Sequence, residues 1–373
     1  MKVIFAGGGT PGHVNPALAI ASYIKKKDPS AQIAFSGGKG GIEERLVARE
    51  GYPIYTFPLS GLSRSLSLGG LKKNVGAIKN TFAAISAAKK IIREKKPDIV
   101  IGTGGYACFP MVYAAHACGV KTAMLEVNAT PGVALKQLAK KADCVMISFE
   151  ETRSFFEGAK KVVYTGSPVR GEILDAAEQP AKPLFDNGKP TVLCFWGSVG
   201  ALYMNKKMED FIALVNEDKS FNILQAAGKA NFEWMPRELK EKGVELENNE
   251  NIRLEEYIYD MASAMNGCDL VICRAGASTL AEVCACGKPS LIVPSPYVAD
   301  NHQEKNARAL ERAGAAVVAL EKEVDGKALF EMAKELIADG EKLGTMGANA
   351  RKLANFDALE SIWQAVCDTV NGK

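Results

Sequence analysis

Short apolar, β-branched runs alternate with longer stretches of helical periodicity along the whole chain. The runs fall at Lys2–Ala6, Gln32–Ser36, Asp98–Gly102, Lys121–Leu125 and Asp143–Ser148. A second series follows at Thr191–Trp196, Asn222–Ala226, Asn251–Leu254, Asp269–Cys273, Ser290–Pro294 and Ala315–Ala319. Strand-like runs separated by helical segments are the rhythm of a parallel sheet with crossover helices. Between the series, Pro168 and then Pro180, Pro183 and Pro190 with Gly188 mark a linker, because these residues interrupt both periodicities. Each series opens alike, with a strand, a glycine-rich turn and a helix: KVIFAGGGTPGHVNPALAI, then PTVLCFWGSVGALYM. The expectation is an α/β chain of two Rossmann-like domains facing a cleft, with the cleft as the site. The predicted domains are 1–168 and 169–353, with a C-terminal helix over about 354–373 that packs back on the first.

Length agrees with two domains, since 373 residues exceed the usual size of one hydrophobic core. At 47% hydrophobic and 24% charged residues, disorder, collagen and a small disulfide scaffold are excluded. No run approaches the ~18 apolar residues of a membrane span, and the start MKVIFAGGGTPGH lacks the apolar core of a signal peptide. The chain is therefore expected in the cytoplasm. Nine cysteines, an odd number without a Cys-x-x-Cys, sit mostly inside apolar runs and read as reduced core residues. Charge is strongly asymmetric. Residues 1–170 carry 24 Lys+Arg against 11 Asp+Glu, or +13, while 171–373 carry 22 against 32, or −10. A basic half on a near-neutral protein suggests an anionic surface or substrate for that half alone.

Gly7, Gly9 and Gly12 fit G-x-G-x-x-G between a strand and a helix, where bare backbone can approach a phosphate and helix N–H groups can point at it. A tight turn without a ligand is the alternative. A dinucleotide enzyme should carry an acidic residue at the end of the second strand, and here that strand ends Phe35-Ser36-Gly37-Gly38. No nicotinamide cofactor, and no other cofactor, is expected. His13 directly follows the turn, and an imidazole there can act as a proton acceptor at neutral pH; a His bonding its own helix start is the alternative. His116, in the apolar run VYAAHACGV, reads as core or surface.

In CRAGASTLAEVCACGKP, Gly276 and the small residues Ala277, Ser278 and Thr279 follow the strand Asp269–Cys273 and start a helix. Small residues open a helix N-terminus to a phosphate, with N–H groups and hydroxyls as donors. Glu282 lies about one turn further on, where it either accepts from the hydroxyls of a ribose or is a solvated helix residue. Gly197, Ser198 and Gly200 repeat the turn chemistry at the opening of the second half. No Asp-x-Asp triplet exists, so the usual carboxylate pair for a metal-bridged diphosphate is missing and no metal site is expected.

Together these stretches resemble the MurG family of peptidoglycan glycosyltransferases, which transfer N-acetylglucosamine from UDP-N-acetylglucosamine to an undecaprenyl-pyrophosphoryl-muramoyl-pentapeptide lipid. The resemblance runs from Met1 to about Asn355, through GGGTPGHVNPALAIA (7–21), PDIVIGTGGY (97–106), NATPG (128–132), GSPVRGEIL (166–174), GSVGA (197–201), EYIYDMASAMNGCDLVICRAGASTLAE (256–282) and ADNHQEKNARAL (299–310). It implies the glycosyltransferase-B architecture, with the donor held mainly by the C-terminal domain and the lipid by the N-terminal one. Carried over by position, Ser198 and the helix start Ala277, Ser278 and Thr279 resemble diphosphate ligands, Leu280 a further donor-binding residue, Ile258 a backbone contact to uracil, and Glu282 the ribose acceptor. Asn128, Arg170 and Gln303 resemble sugar and phosphate contacts. Thr10, Pro11, Gly12 and His13, with Gly104, Gly105 and Tyr106, resemble the acceptor side, and His13 the general base. Where the family usually reads His-Glu-Gln-Asn, this chain has Leu125-Glu126-Val127-Asn128, and its Gly-Gly-Ser becomes Trp196-Gly197-Ser198. Another transferase or an epimerase of the same fold, or a nucleotide-sugar-binding protein without turnover, are the competing expectations.

From Arg64 to Lys96 the chain holds nine Lys or Arg and one acid, Glu94. Leu66, Leu68, Leu71, Val75, Ile78, Phe82 and Ile85 are interleaved, at helical spacing from Leu71 onward. A basic amphipathic helix on an anionic membrane surface is expected, which puts the protein at the cytoplasmic face of the membrane as a peripheral protein. Nucleic acid is not an expected partner, since the stretch lacks a recognisable binding motif and holds one Phe.

Overall fold

The computed structural model describes residues 1–59, 68–197, 200–298 and 301–372, and the side chains of 68–75 and 78 also lie outside that description. The chain forms two compact units, Met1–Pro168 with Asp357–Lys373, and Val169–Phe356.

The first unit is built on seven parallel strands: β1 (Lys2–Gly7), β2 (Gln32–Gly38), β3 (Ile54–Phe57), β4 (Ile99–Gly104), β5 (Lys121–Glu126), β6 (Cys144–Ile147) and β7 (Val162–Tyr164), in the order β3-β2-β1-β4-β5-β6-β7. Side chains alternate across a strand, so Ile4, Ala6, Val100, Met124, Val145 and Ile147 share one face. There they pack on Ala84, Ile85, Ala88 and Ile92 of the helix Leu68–Lys95 and on Met111, Val112 and Ala115 of the helix Cys108–Ala117. The edge strands β3 and β7 escape the sequence reading because they are short, four and three residues, and half-exposed, so neither shows a continuous apolar run. The helix Ala358–Val370 returns to this unit, burying Leu359, Ile362, Ala365 and Val366. Its Glu360 pairs with Lys27 and accepts from Tyr23, both on the helix Pro11–Lys27. Exposed pairs of this kind add little; the apolar face does the docking.

The second unit repeats the plan with six strands: β8 (Thr191–Phe195), β9 (Asn222–Ala226), β10 (Ile252–Glu255), β11 (Leu270–Cys273), β12 (Ser290–Ile292) and β13 (Ala316–Val318), in the order β10-β9-β8-β11-β12-β13. Val192, Cys194, Ile223, Leu270, Ile272 and Leu291 face one core and Leu193, Phe195, Leu224, Val271, Cys273 and Ile292 the other. Two covered faces are what a parallel sheet requires. After Pro168, which ends the first unit, the proline-rich stretch read as a linker is part of this unit. Leu184 and Phe185 pack into its core, and Asn187 exchanges side-chain hydrogen bonds with buried Asn222. The nine cysteines are all free thiols.

In both sheets the strand order reverses at one point, between β1 and β4 and between β8 and β11. Loops leaving the carboxyl ends of these strand pairs diverge there, which is where doubly wound sheets bind ligands.

Candidate active site

At the first reversal, the loop after β1 carries Gly7 to His13 and the loop after β4 carries Gly104 to Tyr106. The two are interlocked. Gly8 N–H donates to Gly104 O at 3.3 Å, and Thr103 Oγ1 donates to the His13 carbonyl at 2.7 Å. Gly105 sits at φ +74°, and a Cβ there would lie 2.0 Å from Gly8 O, so no other residue fits. The His13 ring packs on Gly104, with Nδ1 3.2 Å from Thr103 O. A carbonyl only accepts, so the neutral imidazole carries its hydrogen on Nδ1 and its lone pair on Nε2. That tautomer suits a proton acceptor. The glycine turn itself behaves differently from a phosphate cradle at its second N–H, because Gly9 N–H donates inward to Glu43 Oε2 at 3.0 Å.

Beyond β5, Glu126 is buried and accepts from Asn128 N, Asn128 Nδ2 and Gly132 N at 2.9, 3.0 and 2.9 Å. Burial pushes its carboxyl above the ordinary carboxylate range, against the pull of these three donors. Glu126 thus shapes the turn that presents Asn128. Leu125 and Val127, on either side of Glu126, are buried and serve the core.

At the second reversal, Ser198 lies outside the described residues. Trp196 is buried in one core with Met204, Met208 and Ala227, with the Arg274 guanidinium 5.6 Å from its ring. Arg274 donates to Val293 O and pairs with buried Glu321, which ties together the ends of three strands. After β11 the chain turns through Gly276 into the helix Ala277–Ala285. Ala277 and Leu280 are buried and Thr279 half-buried. Among the described residues the Ser278 hydroxyl, buried at the head of this helix, has no hydrogen-bond partner, and the positive end of a helix suits an anion. One turn on, Glu282 Oε1 accepts from Arg170 Nε at 2.8 Å, and Arg170 Nη1 also reaches Glu172. Ile258 is buried in the same core as Leu280, between exposed Tyr257 and Tyr259. Gln303 accepts from Ser295 N–H at 2.8 Å, and Asn306, on the same helix, donates to Ala275 O at 3.2 Å.

The second unit therefore gathers Arg170 and Glu282 directly, and Asn306 ties the helix that carries Gln303 to the turn before the helix that carries Ser278. Asn128 belongs to the first unit. Sequence reasoning missed Glu43 and the Arg274–Glu321 pair. Glu43 had a signal in the crowding of Gly37, Gly38, Gly40 and Gly41 just before it; the pair, 47 residues apart, had none.

Residues 3–147 match the Glycosyltransferase family 28 N-terminal domain and residues 191–362 the Glycosyltransferase family 28 C-terminal domain. A protein of Acetivibrio thermocellus, named UDP-N-acetylglucosamine--N-acetylmuramyl-(pentapeptide) pyrophosphoryl-undecaprenol N-acetylglucosamine transferase, is 43% identical over 375 residues, covering 100% of this chain and 99% of that one. The chain belongs to the MurG family. A Listeria monocytogenes protein of the same name is 39% identical over 98% of this chain and 99% of its own. The crystal structure of Acinetobacter baumannii MurG superposes with a TM-score of 0.72 at 28% identity, over 100% of this chain and 99% of that one, and the fold of this MurG-family chain is the glycosyltransferase-B fold. The S. aureus MnaA-UDP co-structure, at 16% identity and a TM-score of 0.68 over 99% of this chain and 97% of its own, shares the fold alone.

Proposed function

We propose that the protein transfers N-acetylglucosamine from UDP-N-acetylglucosamine to the undecaprenyl-pyrophosphoryl-muramoyl-pentapeptide lipid, with inversion at the sugar. The observation that carries this reading is 43% identity along the full length of a relative named for that transfer. In the second unit, the N-terminus of the helix Ala277–Ala285 with the Ser278 hydroxyl receives the diphosphate, and Glu282 accepts from the ribose hydroxyls. Ile258 meets the uracil through its backbone, while Arg170 and Gln303 contact phosphate and sugar.

In the first unit, Thr10 to His13 and Gly104 to Tyr106 face the acceptor, and Asn128 contacts the sugar. His13 Nε2 takes the proton of the attacking acceptor hydroxyl as its oxygen bonds to the anomeric carbon. The bond from that carbon to the diphosphate oxygen breaks, and the departing charge falls on the helix N-terminus, Ser278 and Arg170. Positioned donors of this type are each worth about 10²–10³ in rate.

The helix Leu68–Lys95 holds the protein on an anionic membrane at its cytoplasmic face. Among its described side chains, Phe82 is 68% exposed beside exposed Lys79, and Lys90 and Arg93 continue the cationic surface. Ile85, expected on the membrane side, is buried with Ala84 and Ala88 and anchors the helix to its sheet instead. Arg64 and Leu66 lie outside the described residues, and no described helix is long and apolar enough to cross a membrane.

Release of UDP measured with and without the acceptor lipid tests the activity. UDP appearing only with the lipid supports it; conversion of the nucleotide sugar without any lipid indicates an epimerase and rejects it.

A further inference from the structure

Glu43 is 1% exposed, and no basic side chain pairs with it among the described residues. It stands near the start of the helix Ile42–Arg49, and its carboxylate enters the space beneath the glycine turn of the first unit. Oε2 accepts from Gly9 N–H at 3.0 Å and Oε1 from Gly38 N–H at 2.6 Å. The room for it is made by missing side chains. A Cβ on Gly8 would come within 2.2 Å of Oε1, one on Gly41 within 2.6 Å of the carboxylate, and one on Gly37 within 2.3 Å of Cγ. Tyr106 closes the other side, with its ring 3.0 Å from where a Cβ on Gly9 would sit and its hydroxyl 3.6 Å from one on Gly38.

A buried carboxylate without a counter-charge is costly, and two backbone N–H groups are its compensation. Those same bonds clamp Gly9, four residues before His13, to the end of β2. We propose that Glu43 is a positioning residue for the transfer reaction: an internal anion that fixes the loop from Gly7 to His13, and Tyr106 above it, in the geometry the acceptor hydroxyl and base require. It occupies, from inside, an N–H that a glycine turn of this type would otherwise offer to a phosphate. This inference rests on the transferase reading for its catalytic consequence, and on the carboxylate geometry for its structural one.

Glu43→Gln tests it. The amide keeps the shape but turns an NH2 toward one of the two backbone N–H groups, so one clamp is lost. With loss of one charge-assisted bond, hydrogen exchange of the peptide spanning 7–13 should accelerate about tenfold. Misplacement of the loop should lower kcat about 10²-fold. UDP affinity, a property of the second unit, should stay within about twofold, as for independent sites.

Unchanged exchange in that peptide overturns the role whatever the activity proves to be, so it fails separately from the transferase reading, which wild-type turnover tests. Near wild-type kcat, or equal losses in kcat and UDP affinity, also overturns it. If Glu43→Gln does not fold, Gly41→Ala provides the second variant. Its added Cβ displaces the carboxylate without removing the charge, at a backbone φ of −76° that alanine accepts. A smaller loss of kcat with native UDP binding supports the role, and unchanged kcat with unchanged exchange rejects it.

Discussion

Arg170 Nε donates to Glu282 Oε1 at 2.8 Å, joining the start of the second unit to the helix that opens at Ala277. Glu282 has only 14% of its side chain exposed, and the guanidinium satisfies one of its oxygens while the carboxylate retains capacity for further donors. A carboxylate so held is pre-oriented for a pair of vicinal hydroxyls. Glu282→Gln should weaken the donor about ten- to hundredfold, the loss of a hydrogen bond to a charged acceptor, with kcat at saturating donor much less affected. Donor-dependent initial rates measure this, and an unchanged donor constant rejects the ribose role.

The orphaned hydroxyl of Ser278 makes an unusual prediction, because stability and binding should respond in opposite senses. Removing a buried hydroxyl that has no partner relieves a desolvation penalty, so Ser278→Ala should leave the thermal midpoint unchanged or slightly raised. The same change should weaken UDP by about tenfold. Calorimetry of unfolding and of UDP binding on one preparation checks both, and a destabilised variant with intact UDP affinity contradicts the assignment.

His13 is expected to matter for turnover and not for the donor. His13→Ala should lower kcat by about 10²–10⁴, the usual contribution of a positioned acid or base, while UDP affinity stays at the wild-type value. Near wild-type turnover in a folded variant would remove His13 from the role of base.

Membrane attachment is testable on side chains of the described part of the helix Leu68–Lys95. At about 1 kcal/mol per cation near an anionic leaflet, Lys79→Gln with Lys90→Gln should weaken vesicle binding roughly thirtyfold. Co-sedimentation with anionic vesicles reads this, and equal pelleting of variant and wild type rejects the surface.

Much of this was legible in the sequence, for a physical reason. Parallel strands are buried on both faces and therefore write themselves as apolar runs, which is why β1, β4 and β9 stand out while the half-exposed edges β3 and β7 do not. The turns at Gly7 and Gly276 are visible because glycine and small residues are unusual just after a strand. The supports of these turns are harder to see. Glu43 acts on Gly9 across 34 residues and Arg274 on Glu321 across 47, and nothing local distinguishes a carboxylate that folds inward from one that meets water. Trp196 follows the same rule as the strands: alternation with Val192 and Cys194 turns its ring into the core.

A sugar transferred onto the lipid changes the intact mass of that lipid. Incubation of the protein with UDP-N-acetylglucosamine and the undecaprenyl-linked muramoyl-pentapeptide should add the mass of one N-acetylhexosamine to the acceptor. An acceptor of unchanged mass, under conditions where the protein binds UDP, would contradict the account.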